Sequence, residues 1–451
     1  MNTSNGFTVC KPIVLFLLLA TSLSYTCSSP DPKPLSLVTH QGIALQWADV
    51  TLYVIRKSFP NSPTYTSRCL GYIGLTMYES VVHGSILHQS LAGNLNGLQR
   101  LPLPEQAEYN WTIALNSGQS FIIKKLYPHT TVVDSIQRFE DAVYKKELAT
   151  TTIDIAFRSQ EYGKAIASAI YNWSVTDGGD QGYLHNFDPA YVFPSGPGYW
   201  RAPFAGQSSS PLPLHPHWGN NRTFVPDNGA LPIPTIAPYS TSPTSVYYQY
   251  FFEVYQKRNS LTDEEKKISA WWADDPTQTA SPPGHSYNLV TVLLSTQAED
   301  LFVAAEAYAK VGISVADAFI NCWKCKYHYH SERPFPYIST YIDSSYKPFW
   351  PEPPFPAFSS GHATQSAATA KALMSIFDNN KPFVDNTYEN RNAEFESIPY
   401  VSRSFKTIWS TAEECAYSRF LGGIHTRQDN EVGTAQGSII GENVTKLSWR
   451  K

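Results

Sequence analysis

Between Lys326 and Asp429 the chain sets out three short blocks whose side chains could enclose a tetrahedral oxyanion. The first holds Lys326 and Arg333-Pro334, the second Ser360-Gly361-His362, and the third Ser418-Arg419, Gly422-Gly423, His425 and Asp429. Arginine offers planar, bidentate donation to an oxyanion and lysine offers a compact charge. A carboxylate four residues after an imidazole can fix its tautomer and leave the other ring nitrogen free to bind or attack.

Those groups must be positioned by local structure, and the sequence says how. Ser360 precedes a run of good helix formers ending near Met374, so it sits where an N-cap belongs, and the free amides of a helix start favour an anion. Glycine at 361 lets an oxyanion come close to the backbone, and the proline-rich approach from Pro351 to Pro356 stiffens the entry. Gly422-Gly423 is poor helix interior, so Arg419 is expected to end one helix and His425 to start the next, with Asp429 on the same face. Pro334 should end the helix that carries Lys326, leaving Arg333 on the turn.

Around these blocks the text is helical. Apolar residues recur at three- and four-residue spacings from His40 to about Trp173, with helices expected over 107–126, 132–148 and 154–173. From 178 to 242 the periodicity gives way to Gly, Pro, Ser and Asn, a stretch too long for an idle connection; it reads as an ordered loop over the helices or at a pocket rim. Thr262 and Glu265 have capping-box spacing, opening a helix to Trp271-Trp272. Pro282-Pro283-Gly284 is expected to stop it, with further helices over 287–311 and 314–326. No segment alternates like a strand. The expected fold is mainly α, two sequential helical bundles separated by a long Pro/Gly-rich loop: a leader at 1–27, an N-terminal helical region at 28–177, the loop at 178–242, and a C-terminal region at 243–451 carrying the blocks.

Composition narrows the function classes. Hydrophobic residues make up 42%, enough for a large core, while a mean hydropathy of −0.28 excludes a multispanning membrane protein. Net charge is −4 and no basic run tracks a phosphate backbone, so no nucleic-acid partner is expected. Lys11 ahead of an apolar run at 12–20 reads as a secretory signal, too short to span a bilayer, so no transmembrane span is expected in the mature chain. The expected location is secreted, periplasmic or extracellular. Cys27 offers a lipid-anchor site, with ordinary cleavage nearby as the plainer alternative. Cys69, Cys322, Cys325 and Cys415 remain; a single Cys-x-x-Cys supplies too few ligands for structural zinc, and pairing is not readable. Asn110, Asn172, Asn221 and Asn443 head glycosylation tripeptides that matter only in a eukaryotic source.

Lys-x6-Arg-Pro, then Ser-Gly-His, then Ser-Arg-x5-His-x3-Asp resembles the three-part signature of the vanadium-dependent haloperoxidases and the related type 2 phosphatidic acid phosphatases. All three parts occur in order with their spacings intact; Ser359 stands where many relatives have Pro. The resemblance implies vanadate as cofactor, with His425 as its axial ligand. Its oxygens would be held by Lys326, Arg333, Ser360, the Gly361 amide and Arg419. His362 would be the acid/base, Lys326 would also polarise the bound peroxide, and Asp429 would orient His425. It further implies hydrogen peroxide and a halide ion as reactants, and leaves room for an organic acceptor. Trp323 and Phe355 fall where chloroperoxidase-like members carry aromatics beside the halide. In the phosphatase relatives the same frame makes His425 a nucleophile toward phosphorus, so an acid phosphatase inhibited by vanadate is the alternative expectation. A non-catalytic extracellular oxyanion-binding protein is the third.

Overall fold

A computed structural model describes residues 42–203, 210–275, 279–297, 299–389 and 398–451; the apolar leader and Cys27 lie outside these. Among the described residues there are fourteen α-helices and one two-stranded sheet, so the chain is mainly α. The N-terminal helices are α1 (Gly42–Lys57), α2 (Pro63–Glu79), α3 (Trp111–Leu126), α4 (Val133–Leu148) and α5 (Ile153–Ser174), close to the periodicity reading. Short α6 (Pro226–Gly229) lies inside the long loop, followed by α7 (Val246–Arg258), α8 (Asp263–Trp271), α9 (Ser281–Thr296) and α10 (Leu301–Tyr329). Then come α11 (Pro334–Tyr341), α12 (Gly361–Met374), the antiparallel pair β1 (Phe383–Asp385) and β2 (Arg403–Phe405), α13 (Trp409–Leu421) and α14 (Arg427–Thr445).

Three expectations change. Pro282-Pro283-Gly284 does not end a helix but forms the first turn of α9, where a missing proline N–H costs nothing. The expected helices over 287–311 and 314–326 are divided elsewhere: α9 ends at Thr296, and one 29-residue helix, α10, starts after Asp300, whose carboxylate accepts from the amides of Phe302 and Val303. His425 lies outside α14, whose N-cap is Thr426, so it sits in the turn and only Asp429 is on the helix.

At 1.5 Å per residue α10 spans roughly 44 Å and is the axis of the molecule. It is buried on nearly every side: α2 packs along it from one direction and α12 from another, so helices from before and after the loop share one core. α3 packs on α5, and α12 on α13 and α14. The α12–α14 crossing is close enough for backbone contact. A Cβ added to Gly433 would stand 2.8 Å from the carbonyl oxygen of Ser360, and one on Gly437 would collide with that of Thr364.

The long loop is fastened to this frame at both ends and in the middle. Arg68 on α2 is sealed against Asp177, with Nε 2.7 Å from Oδ2, where Tyr72 also donates. Asp317 of α10 accepts from the amides of Phe224 and Val225 and from Asn228 Nδ2, and burial pushes its carboxyl up to about 7. Nearer the signature blocks, Trp200 donates to the carbonyl of His330 at 2.6 Å and Leu214 to that of Pro354 at 2.8 Å.

Candidate functional site

Each block is carried by an element end. Lys326 occupies the last turn of α10, which stops where His330 adopts a left-handed backbone with φ 51°. Arg333 is the N-cap position of α11, whose first residue is Pro334. Ser360 caps α12: its hydroxyl accepts from Ala363 N, and its own amide donates to the carbonyl of Asp429 at 3.0 Å. The middle and third blocks are thus tied backbone to backbone. Arg419 lies in the last turn of α13, and Gly423 turns the chain with φ 72°, a conformation glycine adopts without strain, so that His425 returns beside Arg333.

Distances show a convergent site. His425 Nδ1 lies 3.2 Å from Asp429 Oδ2, which also accepts from Thr426 N, while Nε2 is 3.5 Å from Arg333 Nη1. The carboxylate therefore fixes the Nδ1–H tautomer and leaves the lone pair on Nε2. Burial holds His425 well below the usual histidine range, helped by Arg333, Lys326 and Arg419, so the ring is neutral. Burial and the Arg419 charge do the same to His362. Burial pushes the Asp429 carboxyl up, opposed by the Thr426 amide and the nearby cations.

A cavity of about 690 Å³ opens onto this floor. Gly361, His362, Arg419 and His425 line its base, and Trp323 and Phe355, with ring centroids 4.9 Å apart, line its wall. Phe59 to Pro63 of the α1–α2 turn and Asn186, Phe187 and Leu214 of the long loop also line it, so the loop contributes to the cavity. Lys326, Arg333 and Ser360 are fully buried and are not among the lining residues. Lys326 Nζ donates to the carbonyls of Pro356, Ala357 and Ser359 at 2.7–2.8 Å, so its three N–H directions hold the approach to α12. Arg333 likewise donates to the carbonyls of Phe355 and Ile424, and Arg419 to that of Trp272.

Asp274, which sequence reasoning missed, also lines the base. It follows α8 in a left-handed backbone with φ 52°, and its Oδ2 lies 3.7 Å from His362 Nε2. Its Oδ1 takes Nδ1 of His285 at 2.9 Å and the Tyr388 hydroxyl. The sequence signal was only an acidic pair after Trp271-Trp272; the contact spans 88 positions to α12 and leaves no local mark.

The donor set suits an oxyanion. Among the described residues, Lys326, Arg333 and Arg419 make no carboxylate ion pair, and Arg419 Nε and His362 Nε2 are buried without a hydrogen-bond partner. Gly361, whose amide opens α12, lines the cavity itself, and a Cβ there would meet Cys322 Sγ and Trp323 at 3.8 Å, an ordinary contact. A buried, unanswered guanidinium N–H beside a helix start is what an entering anion satisfies.

Comparisons with known proteins agree with this geometry. The family domain described as "VCPO second helical-bundle domain" matches residues 306–450, which include all three blocks. A solved structure titled the first bacterial vanadium-dependent iodoperoxidase aligns with a TM-score of 0.79 and 28% identity, over 92% of this chain and 98% of that one. In its C-terminal domain and in its overall fold the chain is thus similar to the vanadium-dependent haloperoxidases. A bacterial vanadium-dependent chloroperoxidase in its holo form shares the fold, with a TM-score of 0.67 at 15% identity over 92% of this chain and 98% of that one. No curated protein matches the chain. No helix among the described residues is long and apolar enough to cross a membrane.

Proposed function

We propose that the chain is a vanadate-dependent haloperoxidase, which oxidises halide with hydrogen peroxide to hypohalous acid. The observation that carries this reading is the adjacency, in one cavity, of Arg419 and His425, backed by Arg333 and Lys326, to the aromatic wall of Trp323 and Phe355. Arg333, Arg419, the Ser360 hydroxyl and the Gly361 amide would hold the oxygens of vanadate, and His425 Nε2 would be its protein ligand. Lys326, pulled down to about 8 by burial, adds its charge from beneath while gripping the turn before Ser360. Bound vanadate would supply a Lewis acid that activates peroxide without changing its own oxidation state.

The protein's part is proton handling and exclusion of water. Neutral His362 accepts a proton from entering peroxide and returns it to the oxygen that leaves as water. Trp323 and Phe355 present ring surface where a weakly hydrated halide can approach, while the rim residues keep bulk water back. In balance, halide, peroxide and one proton give hypohalous acid and water, with halide oxidised by two electrons. The apolar leader supports export as part of the same reading.

The neutral Nε2 of His425 among cations also suits attack on phosphorus, so phosphatase activity is the second reading. One preparation separates them: bromination of a phenol indicator and hydrolysis of an aryl phosphate, each with and without vanadate. Bromination that requires vanadate, with no phosphate release, is expected. Phosphate release blocked by vanadate, with no halogenation at any pH, would replace the first reading by the second.

A further inference from the structure

Beside the cavity lies a chain of charge that the oxyanion cage does not explain. His285 of α9 is fully buried between two carboxylates, with Nδ1 2.9 Å from Asp274 Oδ1 and Nε2 2.8 Å from Asp385 Oδ2 on β1. Trp272 stacks on the ring at 4.5 Å, and Trp271 Nε1 donates to the same Asp385 oxygen. Asp385 Oδ1 is occupied by the amide and hydroxyl of Thr387. Asp274 Oδ2, by contrast, is buried without a hydrogen-bond partner and faces His362.

With a carboxylate at each nitrogen, both ring nitrogens must donate, and an imidazole that donates twice is a cation. Two acceptors on a neutral ring would leave one nitrogen lone pair against an anion, which burial makes costly. The two carboxylates more than offset the burial that disfavours the charged ring, and His285 is raised to about 10. Asp385 reaches neither the cavity nor the cage; its contacts with His285, Trp271 and Thr387 give the tiny β1–β2 sheet a reason to exist.

We propose that His285 is a permanently charged positioning residue: clamped by Asp385, it occupies one oxygen of Asp274 and so presents the other to the site's acid/base, His362. The inference rests on the proposed proton-transfer role of His362. Asp274 answers the charge that His362 acquires when it takes a proton, while His285 holds Asp274 turned toward it. The charged or titratable groups facing this clamp are Asp274 after α8, Asp385 on β1 and Tyr388 beyond it, with His362 on α12 and Arg419 on α13 behind Asp274.

Two measurements test it. In vanadate-free protein with ¹⁵N-labelled histidine, both ring N–H signals of His285, assigned with His285→Gln, should persist from roughly pH 5 to pH 9. Loss of either proton in that range overturns the proposal. In the vanadate-loaded enzyme, Asp385→Asn should lower kcat for bromide oxidation about tenfold, with bromide KM and inorganic phosphate affinity within about twofold of the parent, and Asp385→Glu should restore most of the rate. A folded Asp385→Asn with parental kcat, or one that loses phosphate affinity in step with kcat, overturns it. Should that variant fail to fold, Tyr388→Phe, which removes only the hydroxyl on Asp274, should lower kcat about threefold with the same KM pattern; a parental kcat there also overturns it. Because the ¹⁵N reading needs no halide turnover, it stands or falls separately from the haloperoxidase assignment.

Discussion

Arg68 and Arg419 are both sealed from solvent, at 4% and 3% exposure, yet their charges are answered differently. Arg68 faces Asp177 at 2.7 Å, and despite burial its guanidinium is held above the usual arginine range by that carboxylate. Arg419 and Arg333 face backbone carbonyls, and burial pulls both down to about 10. The first setting answers the charge with a carboxylate and fastens the long loop to α2. The second leaves the charge without a carboxylate, and under the proposed function an anion would answer it, which would separate a structural ion pair from a binding floor.

Breaking that contrast should give the largest effect. Arg419→Ala and Arg333→Ala are each expected to cut vanadate-dependent halide oxidation about 10²–10³-fold, with no comparable loss of stability in urea unfolding of the anion-free protein. Arg68→Ala should do the reverse: it leaves Asp177 buried without its cation, destabilises the fold by about 3–5 kcal/mol, and spares turnover per folded molecule. If Arg419→Ala unfolds the protein as Arg68→Ala does, the distinction fails.

Ligand addition sharpens the same point. Phosphate or vanadate at about a hundred times its dissociation constant should stabilise the parent by about 2.7 kcal/mol, read as a rise in thermal midpoint. Arg419→Ala should show none of that rise.

The pH dependence follows from Lys326. Burial lowers its folded value to about 8 from an ordinary 10.5, so its charge in the anion-free protein is present below about 8 and lost above. Anion affinity should therefore fall as pH rises through about 8, in calorimetric titrations at either side. Between about 8 and 10.5 the unfolded chain binds a proton that the folded chain does not, so this residue makes anion-free stability rise with pH across that window.

The smallest change is expected at the wall. Trp323→Phe and Phe355→Leu should alter the relative rates with chloride, bromide and iodide a few-fold while leaving vanadate affinity unchanged, because neither ring donates a hydrogen bond to the anion. Trp323 Nε1 is already spent on the carbonyl of Leu214.

What the sequence made legible was periodic or local. The amphipathic spacing foretold α3, α4 and α5, the capping box foretold α8, and Ser360 stood where α12 begins. The prolines at the start of α9 misled because the same residues that break a helix interior are welcome in its first turn. In the site, the three blocks came from spacing and family resemblance. Asp274, His285 and Asp385 did not, because they lie on a loop, a helix and a three-residue strand with no shared motif. That Lys326 grips three carbonyls was equally invisible, since nothing in a residue's type says which of its possible partners lies nearest.

The backbone contact between α12 and α14 carries a last consequence. Ser360 and Gly361 open one of these helices, Asp429 lies in the first turn of the other, and at Gly433 and Gly437 no atom separates the two backbones. The spacing between the base of the cavity and the carboxylate behind His425 is thus set by a close main-chain contact, with only small α12 side chains, Ala363, Thr364 and Ala367, beside it. A single methyl group on the far side of α14 from solvent would be felt as a misalignment at the anion. Laboratory variation of this enzyme can roam over the rim and the wall, but it has no slack at that crossing.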